Sequence, residues 1–134
     1  MSQADMVREM YAAFLRGDFT TLYESLHPDV EWAEPELEVL PYTGLTRGRD
    51  AVATEVFPKI GETYEKLEFH PEEVIESGDV VTVMGQAFAK GSQHPEETFR
   101  FAHVLRLCEG QVIRFDHFVD THKIARTLAG PTGR

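Results

Sequence analysis

The segment from Thr98 to Val119 alternates between apolar and polar side chains, and this pattern constrains the fold more than any other part of the chain. A period of two along the chain is typical of strands with one buried face. The alternate positions on the apolar side are Phe99, Phe101, His103, Leu105 and Leu107 in the first half, and Ile113, Phe115, His117 and Val119 in the second. Between the halves, residues 108–111 include Gly110 and suit a tight turn. The segment therefore predicts a long hairpin that presents two histidines on an otherwise apolar inner wall.

The length and charge of the chain limit what it can be. Its 134 residues suit one domain, 1–134, that buries roughly two thirds of its unfolded surface. The 13 Lys and Arg against 23 Asp and Glu give a formal net charge of −10, which repels nucleic acids and anionic membranes. Neither is expected as a partner. Because Cys108 is the single cysteine and the first residues do not resemble a signal peptide, we expect a cytoplasmic protein.

Helices are predicted at the start of the chain. The first carries apolar residues at helical spacing, and Gly17 is placed to end it; these residues are Met6, Val7, Met10, Tyr11, Phe14 and Leu15. Asp18 can cap a second, short helix that stops before Pro28. A third helix is expected from about Arg49, where Pro58 should kink it or end it early, and Gly61 favours the early end.

Strands make up most of the remaining chain. Val30 to Glu34 indicates a short strand with Trp32 and Glu34 on one face, followed by an irregular rim from Pro35 to Leu45. Leu67–Glu76 and Val80–Lys90 are expected to form an antiparallel meander with the hairpin, and a closing helix begins after its cap Asp120 and ends at Gly130–Pro131. The order predicts an α+β domain in which a strongly bent antiparallel sheet wraps around the N-terminal helices.

Three segments carry a resemblance to a known family. They are YAAFLRGDFTTLYESLHPDVEWAEP, the rim PYTGLTRGRDAV, and FAHVLRLCEGQVIRFDHFVDTHKI. Together they resemble the nuclear transport factor 2-like superfamily, in its SnoaL-like and ketosteroid isomerase-like branch. The resemblance implies a cone-shaped, cystatin-like fold. It leaves the activity open, because the superfamily includes isomerases, polyketide cyclases, dehydratases, epoxide hydrolases and noncatalytic modules.

The resemblance to ketosteroid isomerase also suggests roles for individual residues. The isomerase base is an Asp before a Pro at the end of the first strand, and here Glu34 precedes Pro35. Its protonated Asp lies three residues before an Arg on the wall strand, which corresponds to His103 when the chains are aligned on Arg106. A one-residue slip would instead place Ala102 there; the inward period favours His103. The isomerase's oxyanion Tyr lies on the first helix. Tyr11 is near that position but is offset by one residue relative to the Gly-Asp that follows.

These residues define two hypotheses. In the first, a cofactor-independent isomerase, cyclase or dehydratase acts on a small apolar carbonyl or polycyclic compound, with Glu34 as general base and His103 as oxyanion donor. In the second, the same fold is a noncatalytic module for a hydrophobic ligand or a partner chain. An enzyme should hold Glu34 and His103 within one ligand's reach, whereas a module would turn Glu34 to solvent and tie His103 to the backbone. The residues expected to line the pocket are Tyr11, Phe14, Trp32, Tyr42, Phe57, Met84, Phe88, Phe101, Phe115 and His117.

Two further expectations concern metals and assembly. His117, Asp116, Asp120 and His122 do not predict a metal site, because strand parity separates Asp116 from His117 and Asp120 is needed as a cap. The outer sheet face carries Val104 and Phe118 among charged residues. We expect a homodimer through that face, as the resemblance also implies.

Overall fold

The computed structural model describes residues 2–129 and has four helical stretches and six strands. Helices α1 (Gln3–Leu15) and α2 (Phe19–Ser25) come first, and α4 (Thr121–Thr127) comes last. Helix α3 is a continuous stretch of three parts, Arg49–Ala51, Val52–Val56 and Phe57–Thr63. The strands are β1 (Leu26–Glu34), β2 (Gly44–Arg47), β3 (Lys66–Ser77), β4 (Val80–Lys90), β5 (Glu97–Cys108) and β6 (Gln111–Val119).

All six strands form one sheet in the order β2-β1-β6-β5-β4-β3. Neighbouring strands are antiparallel except β1 and β6, which are parallel and pair Trp32 with Phe115. The predicted α+β architecture is confirmed, including the hairpin, whose strands β5 and β6 pair His103 with His117. Strand β2 was not predicted; it pairs with the end of β1 and begins within the expected rim.

The caps explain where the first two helices begin. Ser2 and Asp5 form a reciprocal capping box, in which the Ser2 hydroxyl accepts from the Asp5 N–H and the Asp5 carboxylate accepts from the Ser2 N–H. The buried positions of α1, which include Met10 and Tyr11, face the sheet. Asp18 caps α2 as predicted, accepting from the Thr21 N–H at 3.0 Å. The end of the closing helix predicted at Gly130–Pro131 lies outside the described residues.

The early end predicted for α3 at Pro58 and Gly61 is wrong. A π-helical turn precedes the proline, and the helix continues beyond it. Residues Val52–Val56 form this turn, and the Phe57 N–H donates to the Val52 carbonyl, one residue further back than in an α-helix. Pro58 then lies in the first turn of the segment that follows, where a missing N–H is tolerated. The helix continues through Gly61 to Thr63.

Strand parity on β4 and irregularities beside β3 and β6 determine which side chains face inward. The inward positions of β4 are Val81, Val83, Gly85, Ala87 and Ala89, so Met84 and Phe88 lie on the outer face. A bulge in β3 between Pro71 and Glu73 packs against Gly85. A second irregularity, beside Leu107, turns Val112 inward, whereas Ile113 was predicted there. Within residues 2–129, no helix is both long and apolar enough to cross a bilayer.

Candidate active site

One cavity lies between the inner sheet face, helices α1 and α3, and the rim. Its volume is about 70 Å³, measured as the space open to the centre of a water molecule. Glu34 and His103 both line it, together with seven of the ten residues expected to form the pocket. These seven are Tyr11, Phe14, Trp32, Tyr42, Phe57, Phe115 and His117. The cavity thus gathers both predicted catalytic residues around one small ligand-sized space.

The other three residues expected in the pocket lie elsewhere. Met84 and Phe88 are on the outer face because the parity of β4 is opposite to the one predicted. There the Phe88 ring lies 5.2 Å from the His70 ring. Phe101 is inward and buried but does not line the cavity; its ring centroid lies 6.2 Å from that of Tyr11 and 5.0 Å from that of Phe69.

Sequence reasoning missed several lining residues. Most are apolar, namely Met10, Leu22, Pro35, Leu40, Ile60, Leu67, Phe69, Leu105 and Ile124. Leu105 belongs to the inward set of the hairpin, so its position was available from the alternation of β5. Tyr64 was missed because it caps the end of α3, which was predicted to end earlier.

Glu34 is held at the end of β1 by two hydrogen bonds. The Trp32 Nε1–H donates to Glu34 Oε2 at 2.8 Å, and His117 Nδ1 lies 2.8 Å from Glu34 Oε1. The Glu34 and His117 side chains are each only 7% exposed. Strand parity places Trp32 and Glu34 on one face, as predicted, and Trp32 is fixed by stacking on Phe115 at 3.9 Å. Both carboxylate oxygens therefore have partners, and the carboxylate is oriented toward His117.

His103 is bound to α1 through Tyr11. The Tyr11 hydroxyl and His103 Nδ1 are 2.5 Å apart. Burial, and then the nearby His117, lower the pKa of His103 well below its ordinary value, so this imidazole is neutral at physiological pH. Burial raises the pKa of Tyr11, which keeps its hydroxyl protonated. A neutral imidazole and a neutral phenol thus share this hydrogen bond.

The two histidines face each other across the hairpin. Their ring centroids are 4.5 Å apart and the rings are inclined at 73°. The Nε2 atom of each is buried and has no hydrogen-bond partner among residues 2–129. Buried polar atoms without partners are rare in native proteins. The two histidines therefore bring two unpaired ring nitrogens to an otherwise largely apolar cavity lining.

Two tyrosines form a second polar group at the rim. Burial raises the pKa of Tyr42, and raises the pKa of Tyr64 to about 12. The negative charge of Glu34 acts in the same direction on both, and their hydroxyls interact with each other. Both phenols therefore remain protonated at neutral pH and can act as hydrogen-bond donors.

The rim covers one side of the cavity. Leu40 and Tyr42 are buried, and the Thr43 hydroxyl connects the two ends of the loop. It donates to the Pro35 carbonyl at 2.7 Å and accepts from the Leu37 N–H at 2.9 Å. Lys59 on α3 donates to the Pro41 carbonyl at 3.3 Å. Among the described residues, no group of three His, Cys, Asp or Glu side chains is arranged to hold a metal ion.

Comparison with known proteins identifies the family. The SnoaL-like domain profile matches residues 7–115, which is most of the chain. The chain belongs to the SnoaL-like family. No protein of curated function matches it. The nuclear transport factor 2-like superfamily predicted above is therefore confirmed at the level of family and fold.

Solved structures with this fold include one at 30% identity and others that are more distant. A nuclear transport factor 2-like protein of unknown function from Burkholderia pseudomallei is 30% identical, with a TM-score of 0.87 over 97% of this chain and 100% of that one. TerC, co-crystallised with polyporic acid, is 24% identical, with a TM-score of 0.86 over 95% and 98%. A candidate SnoaL-like polyketide cyclase from Jannaschia is 16% identical, with a TM-score of 0.78 over 96% and 92%.

The site of this SnoaL-like chain combines the parts that proton transfer requires. One imidazole is backed by a carboxylate and the other by a phenol, and each has a free ring nitrogen. The surrounding wall is apolar, which strengthens electrostatic interactions within the cavity. Such a pair can remove a proton from a bound molecule and stabilise the negative charge that develops.

Proposed function

We propose that this SnoaL-like protein is an acid–base enzyme of the isomerase, cyclase or dehydratase type. It needs no cofactor and acts on a small apolar carbonyl or polycyclic compound in the cavity. The observation that carries the proposal is the pair of buried, unpartnered Nε2 atoms of His103 and His117 on one cavity wall. Polar atoms left unpaired inside an apolar pocket are available to a ligand.

The base in this proposal is His117, with Glu34 as its positioning residue. Both oxygens of Glu34 already accept hydrogen bonds, from Trp32 and from His117. The Glu34 carboxylate keeps the proton of neutral His117 on Nδ1, so that Nε2 has a free lone pair. Nε2 can then take a proton from a carbon next to a carbonyl. The resulting imidazolium is stabilised by the carboxylate 2.8 Å away.

The oxyanion donor is His103. Its Nδ1 accepts from the protonated Tyr11 hydroxyl, which leaves the His103 proton on Nε2. As the carbon loses its proton to His117, the electron pair moves toward the carbonyl oxygen, and the His103 Nε2–H stabilises the negative charge there. The His117 proton can then return to a different carbon in an isomerisation, or reach a leaving group in a dehydration.

The comparisons are consistent with an organic ligand. TerC was co-crystallised with polyporic acid, and the Jannaschia protein is a candidate polyketide cyclase. At these identities they support the fold, and the activity proposed here depends on the side chains of the cavity. Polyporic acid is therefore a reasonable first compound for a binding screen.

Proton abstraction can be tested without the natural substrate. Acetophenone is a small apolar ketone, and exchange of its methyl hydrogens for deuterium is visible by proton NMR. We expect the protein to accelerate this exchange, and His117→Phe to abolish the acceleration while His70→Phe on the outer face leaves it unchanged. Binding of acetophenone or polyporic acid with no acceleration of exchange would instead favour a noncatalytic ligand-binding module.

A further inference from the structure

Of the two unpartnered Nε2 atoms, one carries a hydrogen and the other does not, and this difference indicates which polar groups a ligand needs. His117 Nδ1 is 2.8 Å from a carboxylate oxygen, which can only accept a hydrogen bond. The tautomer of the neutral imidazole that fits this contact carries its proton on Nδ1 and leaves Nε2, which is buried and unpartnered, without one. That atom is a hydrogen-bond acceptor.

His103 has the opposite arrangement. Its Nδ1 contacts the Tyr11 hydroxyl, and Tyr11 has no other hydrogen-bond partner among the described residues. If the tyrosine accepted from Nδ1–H, its own proton would remain buried without an acceptor, which is unfavourable. The tyrosine therefore donates to Nδ1, and the His103 proton lies on Nε2. That atom is a hydrogen-bond donor.

A donor and an acceptor thus lie side by side on one wall. Both histidines line the cavity and their ring centroids are 4.5 Å apart, so one small ligand in the cavity can contact both rings. A ketone alone satisfies the donor only. A carboxylate offers acceptors only, and would add a second negative charge near Glu34. An acceptor oxygen and a hydroxyl on neighbouring carbons satisfy both nitrogens.

We infer that the ligand of this site is an apolar compound with a hydroxyl group on the carbon next to its carbonyl. The carbonyl oxygen accepts from His103 Nε2–H, and the hydroxyl donates to His117 Nε2. The choice of a carbonyl as the acceptor rests on the proposed function. The choice of a hydroxyl as the second group rests on the tautomers of the two histidines. Binding of such a ligand does not require that the protein convert it.

The test compares four phenyl compounds of similar size as ligands of the full chain, by calorimetry and NMR titration. α-Hydroxyacetophenone has both groups, acetophenone lacks the hydroxyl, α-methoxyacetophenone lacks the hydroxyl proton, and phenethyl alcohol lacks the carbonyl. Because each comparison removes one hydrogen bond in a desolvated site, we expect the hydroxy ketone to bind on the order of tenfold more tightly than the other three. Benzoate, as the carboxylate control, should bind most weakly.

Variants test which histidine recognises the hydroxyl and which recognises the carbonyl. His117→Phe should remove the preference over acetophenone, and His103→Phe should remove the preference over phenethyl alcohol, while His70→Phe should change neither. Nitrogen-15 NMR of the wild-type protein reports the tautomers directly, independently of whether the variants fold. We expect Nδ1–H for His117 and Nε2–H for His103.

Several outcomes would overturn the inference: equal affinities for the four compounds, no binding of any of them, tightest binding of benzoate, or the reverse tautomers. The proposed function is separable, because deuterium exchange of acetophenone needs no hydroxyl. Exchange without the binding preference refutes the ligand class alone. The preference without exchange refutes the enzyme alone.

Discussion

Within residues 2–129, the sheet carries two ion-pair contacts between a histidine and a glutamate, one on each face. On the inner face, His117 Nδ1 and Glu34 Oε1 are 2.8 Å apart; on the outer face, His70 Nε2 and Glu68 Oε1 are 2.9 Å apart. The inner side chains are each 7% exposed, whereas the outer ones are 45% and 33% exposed. The two contacts have nearly the same length and the same chemistry, and they differ in their access to water.

That difference decides what each pair can do. The outer pair lies beside Lys66 and Phe88, where solvent and salt screen its charges and a surface pair contributes little stability. The inner pair is surrounded by aromatic rings, and its second imidazole nitrogen has no partner within residues 2–129. A proton taken up by His117 is therefore stabilised mainly by Glu34. The proposed reactivity of this site therefore depends on burial and on the unpartnered nitrogen, in addition to the contact between histidine and glutamate.

The largest expected effect is on catalysis. Glu34→Gln replaces an acceptor with an amide that can donate to His117 Nδ1, which moves the His117 proton to Nε2 and removes the base. We expect the exchange rate of acetophenone to fall on the order of 10² to 10⁴ fold, as when a general base is lost or held in the wrong tautomer. Nitrogen-15 NMR should show the changed His117 tautomer in the variant.

Glu68→Gln is the matched control, because it makes the same change in the exposed pair. Its exchange rate should stay within about twofold of wild type, since surface substitutions rarely affect a distant site. If both variants lose activity equally, or if Glu34→Gln leaves the His117 tautomer unchanged, the distinction between the two pairs is wrong.

The sequence predicted which residues line the site better than it predicted the hydrogen bonds between them. Alternation placed His103 and His117 inward, and both line the cavity. It could not show that Glu34 contacts His117, because that contact depends on the parallel pairing of β1 with β6, strands far apart in the sequence. Whether Glu34 or His117 is the base in the reaction stays a prediction.

The errors on β4 have a different cause. Period two defines two faces of a strand but does not state which one is inward. On β4 the large residues Met84 and Phe88 suggested the wrong face, since the inward positions are occupied by valine, alanine and glycine. Gly85 has no side chain, which lets the bulge in β3 pack against its backbone, a contact that no local pattern reveals.

The second prediction concerns that bulge, which lies between Pro71 and Glu73 on β3. A Cβ on Gly85 would lie 2.1 Å from the His70 carbonyl oxygen, so the backbone would have to move. Gly85→Ala should destabilise the protein by about 1–3 kcal/mol, the usual cost of overpacking, measured by urea unfolding. Gly61→Ala is the control, because within the described residues no atom outside its chain neighbours and its own helix backbone lies within 4 Å of the added Cβ, and a helical alanine should be neutral or slightly stabilising. Equal effects of the two changes would contradict the tight fit at the bulge.

The third prediction concerns assembly through the outer face. Phe118 is 58% exposed on β6, next to the Arg114–Asp116 ion pair on the same strand. We expect light scattering at micromolar concentration to show a homodimer of the 15.2 kDa chain. Phe118→Asp should dissociate it by removing about 1.5–3 kcal/mol of apolar burial. The inner-face variant Glu34→Gln should leave the dimer intact. A wild-type protein that scatters as a single chain would refute the dimer.

The smallest expected effect is on the pH dependence of stability, and it again separates an inner from an outer histidine. The pKa of His103 is lowered in the folded protein by burial and by His117, so folded His103 stays neutral while the unfolded chain binds a proton below about pH 6.5. Stability should therefore fall as the pH decreases from neutral toward about pH 5, by up to about 1.4 kcal/mol per pH unit from this residue.

His103→Phe removes the titrating group, so its urea unfolding free energy should fall less steeply with acidification than that of wild type. His70→Phe removes an exposed histidine and should retain the wild-type slope. If the slope is the same in wild type and His103→Phe, the unfavourable protonation of His103 in the folded state, and the neutral imidazole on which its role as a donor depends, would both be refuted.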